Sequence, residues 1–332
     1  MKPTIYDVAK AAGVSIATVS KVINNTGRIS EKTRKLVLNI MKEMNYQPSV
    51  VASALTGKST YTIGLMIPDL ANPFFSGLAR SIEDHAHVLG YNIVICSTDY
   101  EPDKEAKYIS LLLQKSVDGI ILASGFENID AVKELIKQKV PLAILAREIP
   151  SLEVDTVAID DCLGGYQAAS HLIGLGHKKI AIIARDLWSN RERMRGYRLA
   201  LDEAGISYGK EVEYVRESNV ESGKQLAEKL LRSEDPPTAI FACNDLLAVG
   251  AIQAARERGM SVPADLSIVG FDNTVWASAI DPPLTTVAQP IRDMGTQVMN
   301  LLVQEINGQK KYKQRIMLLP ELVVRGSTAK HG

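Results

Sequence analysis

The sequence is poor in cysteine and has no long apolar run. Its three cysteines, Cys96, Cys162 and Cys243, are dispersed, odd in number and mostly placed within apolar stretches. This usage argues against a disulfide framework and is typical of free thiols in the reducing cytosol. No apolar run of about 18 residues is present to span a membrane, so the sequence predicts a cytoplasmic protein with no membrane partner.

Motifs that carry catalytic chemistry are also missing. Of the five histidines, only His85 and His87 lie close together, and no cysteine accompanies them at the spacing of a metal site. Gly125 and Gly164-Gly165 do not form a phosphate-binding loop, and there is no Gly-x-Ser-x-Gly nucleophile turn. The sequence therefore predicts a protein that is not an enzyme and that has neither a metal site nor another cofactor.

The formal net charge is zero, but the two signs are unevenly distributed. Residues 1–60 contain nine Lys and Arg against three Asp and Glu, a net of +6, whereas the remaining 272 residues carry 29 basic and 35 acidic side chains, a net of −6. A basic head on an acidic body favours a polyanion as the partner of the head, because neutralised phosphates release their counterions.

The first residues predict two short helices joined by a glycine turn. Thr4 and Asp7 have the spacing of a helix-entry cap, and Gly13 can adopt the positive φ that a tight turn requires. Ser15 can cap the second helix. The apolar positions that recur at helical period, and so form the buried side, are Val8, Ala9, Ala12, Val19 and Val22.

The exposed side of the second helix suits the major groove of DNA. It carries short, hydroxylated and basic side chains that can approach base edges and thymine methyl groups, namely Ile16, Ala17, Thr18, Ser20 and Lys21. A third helix is predicted from Ser30 toward Tyr46. The alternative is a three-helix packing unit that never touches nucleic acid, and the basic charge of the head favours DNA over it.

Further along the chain, apolar runs rich in β-branched residues alternate with helical stretches. This alternation predicts a parallel sheet built from βαβ units. Because some 270 residues exceed one typical hydrophobic core, two lobes are expected. The predicted strands are Ile63–Ile67, Ile93–Ser97, Gly119–Ser124, Leu142–Leu145, Val157–Ile159, Ile180–Ala184, Ala239–Cys243 and Ser267–Phe271.

Beyond residues 4–24, a series of short motifs resembles the LacI/GalR family of bacterial transcription regulators, and within it the DegA-type subgroup. Each motif is weak alone, but their order along nearly the whole chain is specific. They are Asn45-Tyr46-Gln47-Pro48, Ala52-Ser53-Ala54-Leu55, Asn72-Pro73-Phe74-Phe75, Gly176-His177, Arg193-Met194-Arg195-Gly196-Tyr197, Pro237-Thr238-Ala239-Ile240, Asn244-Asp245, Gly270-Phe271-Asp272-Asn273 and Pro283-Leu284-Thr285-Thr286-Val287.

The resemblance implies a helix-turn-helix DNA-binding headpiece, all α-helical, at 1–47, followed by a hinge at 48–59. An α/β domain with two lobes, like a periplasmic binding protein with parallel doubly wound sheets, takes up residues 60–332. Lobe one is expected at about 61–160 and 291–322, and lobe two at about 161–290.

The hinge Pro48–Lys58 is too short to be a stable helix alone, so it should be ordered only when something packs against it. In the family, two such helices meet in the minor groove, and a leucine of each helix wedges into a central base step. Leu55 stands at the position of that leucine in this sequence. The alternative is that Leu55 packs on the body, and Ser49 and Ser53 depart from the usual pattern. The candidate DNA contacts are Thr4, Tyr6, Ser15, Ile16, Ala17, Thr18, Ser20, Lys21, Asn24, Arg28, Ala52 and Leu55.

Ligands of open α/β sheets bind beyond the carboxyl ends of the strands, which here predicts a small-molecule effector between the lobes. A phenylalanine could stack on a sugar or base ring while polar neighbours hold its hydroxyls. For Asn244 and Asp272 the alternative role is capping of turns. The candidate effector contacts are Asp69, Asn72, Phe74, Phe75, Ser124, Arg147, Trp188, Arg193, Asn244, Asp272 and Gln289.

Two departures from the family pattern bear on the effector, which is expected to be a sugar, sugar phosphate or sugar acid. Ser218 stands where many relatives have an aromatic ring, and Trp188 offers a ring in another loop. The arginines Arg185, Arg191, Arg193 and Arg195 crowd into the same stretch, and guanidinium groups suit an anionic ligand. A solvated arginine face or structural ion pairs are the alternatives.

The expected protein is a homodimer that binds a pseudo-palindromic operator in bacterial double-stranded DNA, in contact with the nucleoid, and acts as a repressor. The chain stops soon after residue 326, so no tetramerisation helix is expected. Effector control by an inducer, by a corepressor or by a protein coregulator stays open. An exported solute-binding protein is the alternative class, and it would begin with a signal peptide instead of a capped helix.

Overall fold

In the computed structural model, the chain is described at residues 3–23, 26–46, 59–124, 126–207, 212–215 and 217–332. It divides into two compact units, Met1–Thr60 and Tyr61–Gly332. None of the helices in these described stretches combines the length and the apolar character needed to cross a membrane.

The described residues of the first unit form three helices, α1 (Ile5–Ala12), α2 (Ile16–Ile23) and α3 (Glu31–Glu43). Gly13 ends α1 with a φ of 63°, as the turn predicted there requires. The helices enclose a small apolar core, and α3 ends at Glu43, short of Tyr46, because Asn45 adopts a left-handed φ of 49°. The buried core residues are Val8, Ala9, Ala12, Val19, Val22 and Val37.

The caps of the first two helices confirm the pattern predicted. At the start of α1, the Asp7 carboxylate accepts from both the backbone N–H and the hydroxyl of Thr4, at 2.8 and 2.7 Å. These hydrogen bonds hold the pKa of Asp7 below its usual range. At α2, Ser15 Oγ accepts from the Thr18 N–H at 3.1 Å, so Ser15 caps this helix as predicted.

The second unit alternates strands and helices along its length. The strands are β1 (Thr62–Ile67), β2 (Asn92–Ser97), β3 (Gly119–Ala123), β4 (Leu142–Leu145), β5 (Asp155–Ile159), β6 (Ile180–Arg185), β7 (Val212–Val215), β8 (Ala239–Ala242), β9 (Ser267–Asp272), β10 (Thr285–Ala288), β11 (Arg315–Leu318) and β12 (Glu321–Val323). The helices are α4 (Pro73–Val88), α5 (Pro102–Gln114), α6 (Ile129–Lys137), α7 (Asp161–Gly174), α8 (Trp188–Glu203), α9 (Val220–Leu231), α10 (Asp245–Glu257), α11 (Val275–Ala279) and α12 (Ile291–Ile306).

The twelve strands form two six-stranded sheets, one for each lobe. Their orders are β11-β5-β4-β3-β1-β2 in lobe one and β12-β10-β9-β8-β6-β7 in lobe two. All pairs are parallel except β10 with β12, which is antiparallel. The central strands β3, β4, β8 and β9 are buried along their whole length, which is why they appear in the sequence as continuous apolar runs.

The chain crosses between the lobes three times, after β5, after β10 and after β11. The end of lobe one predicted near residue 322 is therefore wrong, since β12 already pairs with β10 in the other sheet. The segment beyond it stays in lobe two because its polar groups are satisfied there. Ser327 is fully buried, its carbonyl accepts from the Ile268 N–H at 2.8 Å, and its hydroxyl accepts from the Thr285 N–H at 2.8 Å.

Two helices of lobe two approach each other so closely that only glycine fits between them. A Cβ on Gly165 of α7 would lie 1.9 Å from the carbonyl oxygen of Arg193, and one on Gly196 of α8 would lie 1.8 Å from the carbonyl oxygen of Cys162. This contact fixes α8 against α7. It thereby fixes the position of the Arg193 side chain at the cleft between the lobes.

Candidate functional site

The first candidate surface is the exposed side of α2 in the first unit. Ala17, Lys21 and Ile16 are exposed there, the last with 40% of its surface, whereas Thr18 and Ser20 are half-buried. Tyr6 on α1 is 68% exposed, and Arg28 beyond α2 is exposed. This side therefore presents an apolar, a small and a basic side chain to one surface, the combination predicted for base reading.

Three of the predicted DNA contacts, Thr4, Ser15 and Thr18, have their hydroxyls engaged within the head. Thr4 donates to Asp7, and Ser15 Oγ lies 2.9 Å from Thr18 Oγ1. The surrounding basic side chains are exposed and suit phosphate contacts, namely Lys10, Lys21, Arg28, Lys32, Lys35 and Lys42. Asn24, Ala52 and Leu55, with almost all of the hinge, lie outside the described residues.

The second candidate site is a cavity between the two lobes of the second unit, here called the central cavity. Its volume is about 50 Å³, room for a few water molecules. It is lined by Asn72, Phe74, Phe75, Tyr100, Ser124, Ala146, Asp161, Leu187, Ser189, Asn190, Arg193, Ser218, Cys243, Asn244, Asp272 and Gln289. Because ligand pockets commonly measure about 300–1,000 Å³, a larger ligand enters only when the lobes separate.

Arg193 is the centre of a buried polar network in this cavity. Its Nε donates to Asp161 Oδ1 at 2.8 Å, and its Nη1 donates to the Cys243 carbonyl at 2.5 Å. Nη1 also lies 3.8 Å from Asp272 Oδ1. The guanidinium carbon is 3.5 Å from the centroid of the Phe271 ring, so the flat cation is stacked as well as paired.

Asp272 ends β9 in an unusual backbone conformation. Its φ is 104°, a region that residues with a side chain rarely adopt, and the following Asn273 has a φ of 54°. Such strain persists only where the surroundings impose it, and it is frequent at ligand sites. Gln289 Nε2 donates to Asp272 Oδ1 at 2.7 Å from the strand-to-helix crossover between the lobes.

The carboxyl groups around Arg193 are held partly or wholly neutral by burial. Burial raises the pKa of Asp272 to about 8, although Arg193 acts in the opposite direction. Burial also raises the pKa of Asp161 to about 6, again against the effect of Arg193. Near neutral pH, Asp272 is thus mainly protonated, and the Arg193 charge is balanced chiefly by Asp161.

A second buried carboxyl holds the loop that follows Asp272. Asp245 accepts from the Thr286 hydroxyl at 2.6 Å, from the Thr274 N–H at 2.6 Å and from the Thr274 hydroxyl at 2.8 Å. Burial raises the pKa of Asp245 to about 6 despite these hydrogen bonds. The neighbouring Arg325 donates to Asn273 Oδ1 at 2.6 Å, so both sides of the strained turn are anchored.

Two asparagines of the cavity wall also cap helices. Asn244 Oδ1 accepts from the Leu247 N–H at 2.8 Å, and Asn72 Oδ1 accepts from the Phe74 N–H at 3.0 Å. The capping role that the sequence left as an alternative for Asn244 is therefore present, and it coexists with a place in the cavity wall. The cap fixes the amide group, which makes it a rigid partner for a ligand.

The apolar part of the wall comes from the start of α4. Phe74 and Phe75 are almost fully buried, and their rings meet edge to face with centroids 5.0 Å apart. Ala146 and Leu187 add to this side of the cavity. An apolar ring face opposite buried hydrogen-bonding groups is the arrangement that a small polar ring compound requires.

The central cavity shares residues with two openings on its flanks. The acidic mouth, of about 510 Å³, is lined by Asp69, Asn72, Asp99, Tyr100, Glu101, Arg185, Glu217, Ser218 and Asn219. The tryptophan mouth is lined by Ser124, Glu127, Arg147, Asp186, Leu187, Trp188 and Arg191. Of the eleven predicted effector contacts, Asp69, Arg147 and Trp188 lie only in these mouths, and the other eight line the central cavity.

Trp188 does not take the place of the aromatic ring missing at Ser218. Trp188 begins α8 and faces the tryptophan mouth, whereas Ser218 lines the central cavity and the acidic mouth. Tyr100, which the sequence did not single out, contributes an aromatic ring to the same two spaces that Ser218 lines. Asp161, Ser189 and Asn190 were likewise missed as cavity residues.

The four clustered arginines are all engaged within the protein. Arg191 pairs with Asp186 and Arg195 pairs with Glu192, both at 2.7 Å, and Arg193 pairs with Asp161. Arg185 stacks on Tyr100. This arrangement matches the alternative of structural ion pairs and does not support an anionic effector. In the tryptophan mouth, Arg147 donates to the backbone carbonyl of Phe126, and its buried Nε has no hydrogen-bond partner among the residues that the structure describes.

Comparison with known proteins identifies the two units. The sequence profile of the bacterial regulatory proteins of the lacI family matches residues 4–49, and that of the periplasmic binding protein-like domain matches residues 169–328. The chain is 54% identical over 334 residues to the HTH-type transcriptional regulator DegA of Bacillus subtilis (strain 168), with 99% of each chain covered.

Two solved structures are similar to the whole fold. The lac repressor dimer bound to operator and the anti-inducer ONPF has a TM-score of 0.89 at 32% identity, covering 99% of this chain and 100% of that one. The complex of the transcriptional regulator CelR with cellobiose has a TM-score of 0.75 at 33% identity, covering 98% of this chain and 99% of that one. These findings confirm the resemblance drawn from the motifs and the fold class that it implied.

Proposed function

Because this chain belongs to the LacI family of bacterial regulatory proteins, we propose that a neutral sugar bound in its central cavity controls its affinity for an operator. The protein is a sequence-specific DNA-binding transcriptional regulator with an effector-binding domain.

The charge balance around Arg193 is the observation that carries the choice of a neutral effector. The guanidinium is already paired with Asp161 and lies beside Asp272, so it has no unbalanced charge to offer an anion. A phosphate or carboxylate would also meet two buried carboxyl groups. Hydroxyl groups, by contrast, can donate to Asp161 and Asp272 and accept from Asn244, while the sugar ring contacts Phe74 or Phe75.

On the DNA side, we propose a homodimer that represses transcription by binding a pseudo-palindromic operator. The exposed side of α2, with Ile16, Ala17 and Lys21, would read bases in the major groove, and the surrounding lysines would contact phosphates. The hinge helices and a Leu55 wedge in the minor groove remain a proposal implied by the family.

Control would follow from linkage between lobe closure and DNA binding. An effector changes operator affinity only to the extent that it binds the two arrangements of the lobes with different affinities. Asp272 and Gln289 connect the cavity to the crossover, so the site has a direct contact with the segment on which the lobes move. We further propose that the protein has no catalytic activity and works in the bacterial cytoplasm, in contact with the nucleoid.

The effector class is tested by a thermal-shift screen of the purified protein with neutral sugars, sugar phosphates, sugar acids and nucleobases. A ligand at about 100 times its Kd adds about 2.7 kcal/mol, enough to raise the Tm by several degrees. We expect stabilisation by neutral sugars. The shift should disappear in Asp272→Ala and persist in Asp186→Ala, whose carboxylate lies outside the central cavity.

Other outcomes of the screen contradict the proposal in distinct ways. Selective stabilisation by sugar phosphates or acids would overturn the choice of a neutral effector and direct attention to Arg147. Stabilisation by nucleobases would replace the sugar class altogether. If no compound stabilises the protein, a protein coregulator becomes the better hypothesis.

The hinge proposal is tested separately on DNA. Leu55→Ala should weaken binding to a palindromic operator that contains a flexible central step and should reduce the bend angle, both measured by gel mobility with permuted fragments. Unchanged affinity and bend angle would remove the wedge from the mechanism without affecting the effector site.

A further inference from the structure

A side chain of lobe two crosses the cleft and stacks on a ring of lobe one. The guanidinium carbon of Arg185, the last residue of β6, lies 3.7 Å from the centroid of the Tyr100 ring, which follows β2. The neighbouring ion pairs Arg191–Asp186 and Arg195–Glu192 join residues within lobe two alone. We call Tyr100 and Arg185 the gate pair.

Tyr100 is held in position by a strained segment of backbone. It has a φ of 59° and the preceding Asp99 a φ of 54°, so two successive side-chain-bearing residues are left-handed. Lys104 ties the segment down by hydrogen bonds to Asp99 at 2.6 Å and to Glu101 at 3.1 Å. The Asp99 N–H also donates to the Pro68 carbonyl at 2.7 Å. A conformation that costs energy and is braced on both sides indicates a specific placement of the ring.

The ring of Tyr100 separates two spaces. Tyr100 lines both the central cavity and the acidic mouth, whereas Arg185 lines the acidic mouth and not the central cavity. The guanidinium therefore covers the outer side of the ring. The central cavity holds about 50 Å³ and the acidic mouth about 510 Å³, so the ring stands between a tight compartment and an open one.

We infer that Tyr100 and Arg185 are specificity-determining residues, which hold the lobes together over the central cavity and limit the effector that can be enclosed behind Tyr100 to at most one sugar ring, for which the lobes must separate further than in this structure. This inference rests on the proposed function, because it concerns the same site. A longer saccharide has to pass the plane of the Tyr100 ring, and it does so only when Arg185 leaves the ring and the contact between the lobes is lost.

The closing role is tested without any ligand, through the thiol of Cys243. Cys243 lines the central cavity at the edge of the hydrophobic core and is 1% exposed, and burial raises the pKa of its thiol to about 12. Iodoacetamide therefore modifies it only when the cleft opens. The rate is followed for the full-length protein by peptide mass spectrometry, and Cys96, buried in the core of lobe one, serves as an internal control for general loosening.

We expect Arg185→Ala and Tyr100→Leu each to raise the rate at Cys243 about three- to tenfold, the range that loss of one cation–π contact allows, with no change at Cys96. The double variant should be no faster than the faster single variant, because one contact is removed in each case. Tyr100→Phe keeps the ring and should stay close to the wild type.

Arg191→Ala is the matched control, since it removes an exposed arginine of the same region whose partner is in its own lobe. An unchanged rate at Cys243 in Arg185→Ala, an equal rise in Arg191→Ala, or a parallel rise at Cys96 would each overturn the inference. None of these results depends on whether a sugar binds, so the gate pair and the proposed function can fail independently.

The restriction on ligand size is tested with glucose and with cellobiose, which consists of two glucose units. In Arg185→Ala, the affinity for cellobiose relative to that for glucose, measured by isothermal titration calorimetry, should rise several-fold over the wild-type ratio. An unchanged ratio with measurable binding would show that the pair does not select by size. If neither sugar binds while labelling at Cys243 responds as expected, the closing role stands and the choice of these sugars is wrong.

Discussion

Gln289 Nε2 donates a hydrogen bond to Asp272 Oδ1 at 2.7 Å and so joins a carboxyl group of the proposed effector site to the crossover between the lobes. Asp272 belongs to lobe two, and Gln289 precedes the helix α12 that packs in lobe one. A ligand that replaces Gln289 as the partner of Asp272 would free the crossover at the same moment as it binds. Under the proposed function, this contact would couple occupancy of the cavity to movement of the lobes.

Asp272→Asn should make the stability of the protein less dependent on pH. The folded-state pKa of Asp272, about 8, lies far above the ordinary value of 3.8, so the folded state keeps a proton that the unfolded state loses. Its contribution is fully present below pH 3.8 and is lost as the pH rises toward 8. Asn resembles the protonated acid and removes this loss.

The window that isolates Asp272 is pH 6.5 to 8. The pKa values of Asp161 and Asp245 are about 6, so most of their effect on the free energy of unfolding is complete below pH 6.5. Burial lowers the pKa values of His171 and His177 below 6.5, so these side chains titrate mainly below the window as well. Urea unfolding across this window should show falling stability in the wild type, by about 1–2 kcal/mol, and a flat profile in Asp272→Asn. Parallel slopes for the two proteins would show that Asp272 is ionised throughout.

Arg193→Ala should destabilise the second unit by about 3–5 kcal/mol at pH 8, because it leaves two buried carboxyl groups without their cation. The loss should be smaller at pH 6, where Asp161 and Asp272 take up protons. The measurement is urea unfolding at both pH values. Arg191→Ala is the control and should leave the midpoint unchanged, since the Arg191–Asp186 pair is exposed; an equal effect of both variants would contradict the network described for Arg193.

Gly165→Ala should destabilise lobe two strongly, by at least about 3 kcal/mol, because its methyl group would overlap the carbonyl of Arg193. Gly174→Ala, in the same helix α7, meets no atom within 4 Å and should be neutral or stabilising by up to about 1 kcal/mol. Thermal unfolding of the two variants distinguishes close helix packing from a general preference for alanine in helices. Similar Tm values would refute the close contact of α7 and α8.

Lys21→Ala should reduce the salt dependence of DNA binding. If Lys21 contacts one phosphate, the slope of log Kd against log salt concentration falls by about 1 on any double-stranded DNA. Lys330→Ala, an exposed lysine of the second unit, removes the same charge and should leave the slope unchanged. Fluorescence anisotropy with a labelled duplex at several salt concentrations measures both, and equal slopes for the two variants would remove Lys21 from the DNA-binding surface.

The sequence predicted the elements whose signals are local. Helices α1 and α2 were found from the cap at Thr4, the turn at Gly13 and the cap at Ser15, and the buried central strands from their apolar runs. The strands β7, β10, β11 and β12 were not predicted because they are short and contain polar residues, so none of them forms a continuous apolar run. The pairing of β12 with β10 also explains why the end of lobe one was misplaced.

The sequence also predicted part of the candidate site. Asn72, Arg193, Asn244 and Asp272 were found because they follow strands or match family motifs, and they meet in one cavity. Tyr100 was missed because its place in the cavity wall depends on two left-handed residues in succession, which no glycine marks in the sequence. Within the arginine cluster, Arg193 misled for a related reason, since its carboxylate partners Asp161 and Asp272 are distant in the sequence.

The three crossings of the chain between the lobes determine which parts of this protein can be exchanged with those of a relative. The first unit is one continuous stretch, so recombination at a single junction can give the body a new DNA-reading module. Lobe two consists of two separate stretches of the chain, because α12 and β11 belong to lobe one whereas β12 and Ser327, which follow them, pack in lobe two. A chimaera that transplants the effector specificity of this lobe therefore needs three matched junctions. We expect that, during evolution, DNA-binding specificity is exchanged between relatives more readily than effector specificity.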